Sequence, residues 1–221
     1  MMPAAAVVER RPPVLAPVLP PLGNRASRRF YDSAQAAWVV KVLPGEFYVT
    51  ADPEEVLVTV LGSCVSACIR DPAVRIGGMN HFMLVQNKAG SSGAWGNELE
   101  SARFGNFAME KLINGMIKRG CQRERMEIKV FGGANVTTAR NEIGTENGEF
   151  VLRYLEAEGF RCAAQDLGGV HPRRIIYFPM TGKVVRRLLT GRDEDSAIRE
   201  ESNYATTLSA RKPVHDVQLF K

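Results

Sequence analysis

Hydrophobic positions between residues 55 and 188 repeat with two periods, first that of strands, then that of helices. EVLVTVL at 55–61 alternates, with Leu57, Thr59 and Leu61 on one face, as a half-buried strand does. Val65, Ala67 and Ile69 alternate with Ser66, Cys68 and Arg70, which predicts a second strand. Asp71-Pro72 starts a turn, and after Gly77-Gly78 the run MNHFMLV at 79–85 predicts a third strand. Residues 86–96, QNKAGSSGAWG, read as a Gly/Ser loop. The period then changes. Asn97 and Glu100 form a capping-box-like pair. Phe104, Phe107, Ala108, Leu112, Ile113, Met116 and Ile117 then make a wide helical apolar face, and Gly120 ends it. A strand follows at 128–131, closed by Gly132-Gly133. A second amphipathic helix is predicted over 147–158, with Phe150, Val151, Tyr154 and Leu155 inward. Short strands at 161–165, 174–178 and 183–188 complete the pattern.

Seven strands and two helices, the early strands arranged as hairpins rather than βαβ units, predict an α+β fold. Its expected form is a layered sandwich of mixed β-sheets with helices packed outside. The domain is expected over 38–191. Residues 1–37 hold six of the twelve prolines and read as a flexible extension with polyproline character. Residues 192–221 are polar, charged and weakly periodic, and read as a mobile tail.

Composition narrows the function class. The chain has 221 residues, 45% of them hydrophobic, enough for one well-filled domain. No apolar run approaches the ~18 residues of a membrane span, so a soluble protein without membrane insertion is expected. The start of the chain meets Glu9, Arg10 and Arg11 almost at once and lacks the order of a signal peptide. A reducing cytoplasm is therefore expected, with Cys64, Cys68, Cys121 and Cys162 as free thiols. The net charge of +5 is scattered, as in Arg28-Arg29, Arg173-Arg174 and Arg186-Arg187. It forms no aromatic-interleaved basic stripe, so no nucleic-acid partner is expected.

The chemistry concentrates in LGSCVSACIRDPAVRIGGMNHFML at 61–84. Cys68, Cys121 and Cys162 sit inside periodic elements and read as small core residues. Cys64 follows Gly62-Ser63 at a strand end, where a turn can expose the sulfur and aim successive amides at an oxyanion. A helix starting there would instead lower the thiol pKa, and the local sequence leaves both structures open. Taking 71–78 as a hairpin turn, His81 pairs near residue 67 or 68, and a shear or bulge must bring its ring to the sulfur. The functional reading is a thiolate–imidazole couple. Thr59 is the first candidate to orient the imidazole, with Asn80 and Ser63 behind it. Cys64, Cys68 and His81 do not read as a metal site, because four extended residues set the two sulfurs about 13 Å apart. His171, in GGVHPRR at 168–174, is a second candidate base or a polar loop residue. His215 lies in the tail and takes no catalytic role.

Six stretches, in order, resemble one family: TVLGSCVSACIRDP, GGMNHFML, ARFGNFAMEKLI, KVFGGANV, IGTENGEFVLRYLEAEG and DLGGVHPRRIIYFPMTGKV. They are similar to the CheD proteins of bacterial chemotaxis, over roughly 40–190. The resemblance implies a chemoreceptor glutamine deamidase, an amidohydrolase with a sandwich fold related to cysteine-hydrolase toxin deamidases. It implies Cys64 as nucleophile and His81 as base. The third residue is a threonine on the preceding strand, nearest to Thr59, while Val58 stands six residues before the cysteine. Gly62 and Ser63 would support the oxyanion. No cofactor is implied. The implied partners are the cytoplasmic helices of methyl-accepting chemoreceptors and a CheC-type phosphatase. Hydrolysis of glutamyl methyl ester would need the same groups. VQLF at the C-terminus looks like a docking motif or a frayed end. Two other classes fit the residues: a non-enzymatic docking regulator of a phosphatase or receptor, and a cysteine peptidase.

Overall fold

The computed structural model describes residues 28–33, 35–84, 94–136 and 142–210, apart from the side chains of 94–101 and 207–210. The described chain forms ten strands and three α-helices. In chain order these are β1 (Arg29–Asp32), β2 (Ala37–Lys41), β3 (Phe47–Thr50), β4 (Glu55–Leu61), β5 (Val65–Asp71) and β6 (Ile76–Asn80). They continue with α1 (Ala94–Ile117), β7 (Glu127–Gly132), α2 (Ile143–Ala157), β8 (Cys162–Leu167), β9 (Arg173–Phe178), β10 (Lys183–Leu188) and α3 (Arg192–Ala210).

The strands make two five-stranded mixed sheets, ordered β1-β2-β4-β9-β10 and β3-β6-β5-β7-β8. β2 with β4 and β7 with β8 run parallel, and the other pairs are antiparallel. Period-two alternation sends successive side chains of β5 to opposite layers. Val65, Ala67 and Ile69 face α1 and α2, packing with Met109, Leu112, Ile113, Val151 and Leu155. Cys64 and Cys68 face the other sheet, packing with Leu57, Leu61, Ile175 and Tyr177. The fold is thus α+β, a layered sandwich with helices against the second sheet. Cys64 belongs to the core between the sheets.

Several elements differ from the sequence pattern. β6 spans Ile76–Asn80 rather than 79–85, because Gly77 and Gly78 extend the pairing with β5 and β3 toward the turn. α1 starts at Ala94, so Asn97 lies inside the helix and does not cap it. On α1, Phe107 and Ile117 are exposed, and Met109 is buried in the apolar face beside Leu112, Ile113 and Met116. β1 forms within the segment read as an extension, held by pairing with β2. Residues 192–210, read as tail, form α3, which buries Ala197 and Glu201 against the domain. Residues 1–27, most of the 86–96 loop, His215 and VQLF lie outside the described residues. No helix among the described residues is long and apolar enough to cross a membrane.

Candidate active site

β4 carries Leu57, Thr59 and Leu61 on the face toward the other sheet, as its alternation predicts. Val58 points the other way and packs with Val39 and Val56. The chain then leaves the first sheet at Gly62-Ser63-Cys64 and enters the second as β5. Cys64 therefore stands in a turn between strands, and no helix begins there.

Two supports fix this turn. The carbonyls of Gly62 and Cys64 accept from the amides of Ala134 and Gly133, each at 2.8 Å. Gly132 has φ +112°, and a Cβ there would lie 2.1 Å from the Cys64 carbonyl oxygen, so only glycine allows the approach. On the other side, fully buried Asn147 of α2 donates from Nδ2 to the Ser63 carbonyl at 2.9 Å. Its Oδ1 accepts from the Leu84 amide at 2.8 Å. With the Ser63 carbonyl held by α2, the Cys64 N–H faces away from that helix.

His81 follows β6. Cys68 pairs with Met79 and Val65 with Phe82, so the same register sets His81 opposite Ser66. Cys64 is then its diagonal neighbour on the same face, a separation of about 7–8 Å that long side chains span. The β5–β6 ladder is interrupted here, since Ala67 N donates to the Asn80 side chain and Val65–Phe82 is an isolated bridge. The His81 backbone is pinned by its N–H to Glu46 O at 2.9 Å and by Gly45 N–H to its carbonyl at 2.7 Å.

Thr59 Oγ1 lies 2.7 Å from His81 Nδ1 and donates its only proton to Val42 O, also at 2.7 Å. The hydroxyl must therefore accept from Nδ1–H, which leaves Nε2 unprotonated. Nε2 is buried and has no hydrogen-bond partner among the described residues. Burial lowers the His81 pKa from 6.5 to about 4, so the ring is neutral at neutral pH. Of the two other orienting candidates, Ser63 turns its hydroxyl to Glu201 and Asn80 faces the helix layer. Its Oδ1 accepts from Ala67 N at 2.8 Å and its Nδ2 donates to Ala108 O at 3.2 Å. His171 lies apart from the site, 3.1 Å from Glu194 of α3.

The Ser63 and Cys64 amides both point at one carboxylate, that of Glu201 on α3. Ser63 N donates to Oε2 at 2.8 Å and Cys64 N to Oε1 at 2.5 Å, and Ser63 Oγ donates to Oε1 at 3.1 Å. The two amides thus bind separate oxygens of one carboxylate, Ser63 N–H on Oε2 and Cys64 N–H on Oε1. Burial and then the Glu201 charge hold the Cys64 thiol well above its ordinary pKa. The resting pair is thus a neutral thiol and a neutral imidazole. Cys64 is 0% exposed and His81 3%, with Glu201 of α3 against the Cys64 amide. No group of three or more possible metal ligands occurs among the described residues.

A family model described as "CheD chemotactic sensory transduction" matches residues 83–188. Three relatives are each titled "Probable chemoreceptor glutamine deamidase CheD". That of Hahella chejuensis is 46% identical over 92% of this chain and 97% of its own length. That of Rhodopseudomonas palustris is 48% identical over 87% and 89%, and that of Hydrogenovibrio crunogenus 45% over 86% and 97%. The chain belongs to the CheD family. Among solved structures, the Bacillus licheniformis hypothetical protein YfiH aligns at 12% identity over 53% of this chain and 48% of its own. Its TM-score of 0.34 is too low to bear on fold or function.

In this CheD chain the sequence pattern named Cys64, His81, Thr59, Gly62 and Ser63; the structure has Gly62, Ser63 and Cys64 in the turn after β4 and Thr59 against His81. The pattern passed over Asn147 and Glu201. Asn147 reads as a polar residue on the apolar side of a helix, where a buried amide needs a partner in the core. Glu201 sits in a stripe of Ala197, Ile198, Tyr204 and Ala205 at helical spacing, a weak signal in so polar a segment.

Proposed function

We propose that this chain is a protein-glutamine deamidase that converts glutamines on chemoreceptor cytoplasmic helices to glutamate, as the titles of its relatives suggest. The observation that carries the mechanism is the Thr59–His81 contact, which leaves Nε2 of a neutral ring without a partner among the described residues.

Cys64 Sγ attacks the glutamine carboxamide carbon while His81 Nε2 accepts the thiol proton. Thr59 holds the ring in the required tautomer and keeps Nδ1–H satisfied as the imidazolium forms. The Ser63 and Cys64 amides receive the developing oxyanion. His81 then returns its proton to the nitrogen, and ammonia leaves as the C–N bond breaks. Water, deprotonated by the same histidine, attacks the thioester and releases glutamate and the thiol. The sum is glutamine plus water to glutamate plus ammonia, with no cofactor. A glutamyl methyl ester fits the same groups, with methanol as leaving group. Each event adds one negative charge to a receptor helix, which shifts its packing and signalling equilibrium. The partners on this reading are receptor helices in the cytoplasm and a CheC-type phosphatase.

The test is to incubate a purified receptor cytoplasmic fragment with the full chain and follow ammonia together with peptide masses. Stoichiometric ammonia and a gain of about one dalton at defined glutamines are expected from the amide-to-acid exchange. Binding of the fragment without any mass change would favour a docking regulator.

A further inference from the structure

A buried carboxylate seated on both amides of a nucleophile turn calls for an explanation in its own right. Glu201 is 8% exposed and makes three hydrogen bonds to Ser63 and Cys64. Gly62 makes room for it: a Cβ there would lie 2.1 Å from Glu201 Oε2. Two cavities flank the carboxylate beneath α3. One is lined by Thr59, His81, Ala197 and Glu200, the other by Ser63, Met83, Ile198 and Ala205. Ala197 and Ala205 thus stand one helical turn before and after Glu201, and their small side chains let the helix axis approach the turn. The groove holds a helix that presents one glutamyl side chain to Cys64.

We propose that α3 is a built-in product mimic, with Glu201 filling the subsite for the glutamyl side chain, and that a substrate helix binds by displacing α3 from this groove. The proposal rests on the deamidase reading for its chemistry, but the occupancy is readable without it. A glutamate carboxylate is what the reaction leaves behind on the two amides, and a glutamine carboxamide, with one acceptor oxygen, would take one of those amides and turn its NH2 from the other. Displacement would begin at the first turn of α3, since Ala197, Glu201, Tyr204 and Ala205 pack on the domain beyond it. The start of α3 is held by Arg187–Asp193 and His171–Glu194, pairs on exposed or half-buried side chains that contribute little each. Gly191, at φ +60°, sets the turn from which it departs. The groove's ligand class follows from α3 itself: a helix with glutamine or glutamate flanked one turn each way by small residues.

The experiment uses the full chain as wild type, Glu201→Ala, Glu201→Gln and the double variant Glu201→Gln with Cys64→Ala. Alkylation of Cys64 by iodoacetamide is followed by peptide mass. Glu201→Ala removes a negative charge and a cover from the thiol, so alkylation is expected to accelerate about tenfold or more. Glu201→Gln keeps the shape and places a carboxamide at the nucleophile. Residue 201 is then expected to revert to glutamate with water consumed and ammonia released, a gain of about one dalton that requires Cys64. Reversion shows the side chain seated within reach of the sulfur and supports the proposal. Faster alkylation of Glu201→Ala without reversion of Glu201→Gln keeps the occupancy and counts against the deamidase reading. Unchanged alkylation with an unconverted glutamine overturns the proposal.

Discussion

Thr59 Oγ1 stands 2.7 Å from His81 Nδ1, and its own proton is committed to Val42 O. That commitment makes the hydroxyl an acceptor and assigns the imidazole tautomer. Thr59→Val keeps the shape but removes the acceptor, freeing the ring to adopt the inactive tautomer. A loss of kcat of roughly 10²–10⁴ is expected, with binding of the receptor fragment unchanged. Thr59→Ser should retain most activity. Equal losses in Val and Ser variants would point to packing rather than the hydroxyl.

Protonation of His81 links activity to stability. Its pKa is 6.5 when exposed and about 4 in the fold. Between those values the unfolded chain binds a proton that the folded chain does not, so stability falls as pH drops through this window. Above 6.5 neither state carries the proton. Wild type should lose up to about 3 kcal/mol relative to His81→Gln by pH 4. Urea unfolding of both proteins from pH 7.5 to 4 measures this. A constant difference across the window would contradict the buried neutral ring.

Asn147 bridges the Ser63 carbonyl and the Leu84 amide. Asn147→Ala leaves both buried groups unsatisfied, at about 1–3 kcal/mol each. Asn147→Asp can still accept from Leu84 but cannot donate to Ser63 when ionised. Both variants should lose activity, since the Ser63–Cys64 peptide is no longer held in orientation. Denaturant midpoints and kcat on a receptor fragment separate the two effects. An Asp variant with full kcat would remove Asn147 from the positioning of the turn.

Gly132 lies under the Cys64 carbonyl with φ +112°. Alanine there meets a carbonyl oxygen and an unfavourable backbone region together. A loss of roughly 2–3 kcal/mol is expected in thermal or denaturant unfolding. Gly120, also at positive φ but with open space around it, should be milder on the same measurement.

The interior of this fold was open to reading from the sequence because its strands alternate. The 55–61 pattern set Thr59 on the face of Leu57 and Leu61, and the structure keeps it there while Val58 is buried on the opposite face. β1, β2 and β3 escaped that reading. They are only four or five residues long, and pairing with neighbours rather than their own pattern holds them. α3 escaped for a different reason. Its buried stripe is thin, and its key contact joins Glu201 to residues 137 and 138 positions earlier. Local periodicity carries no information about contacts of that range. Register, by contrast, depended on where β6 begins. Starting it at Ile76 moves His81 opposite Ser66 and onto the cysteine's diagonal.

The most direct measurement is peptide mass spectrometry of a receptor cytoplasmic fragment incubated in parallel with wild type, Cys64→Ala and His81→Ala. The expected result is a gain of about one dalton at defined glutamines with wild type alone. Conversion that persists with Cys64→Ala, or the absence of any conversion by wild type, would contradict cysteine–histidine deamidation at this site.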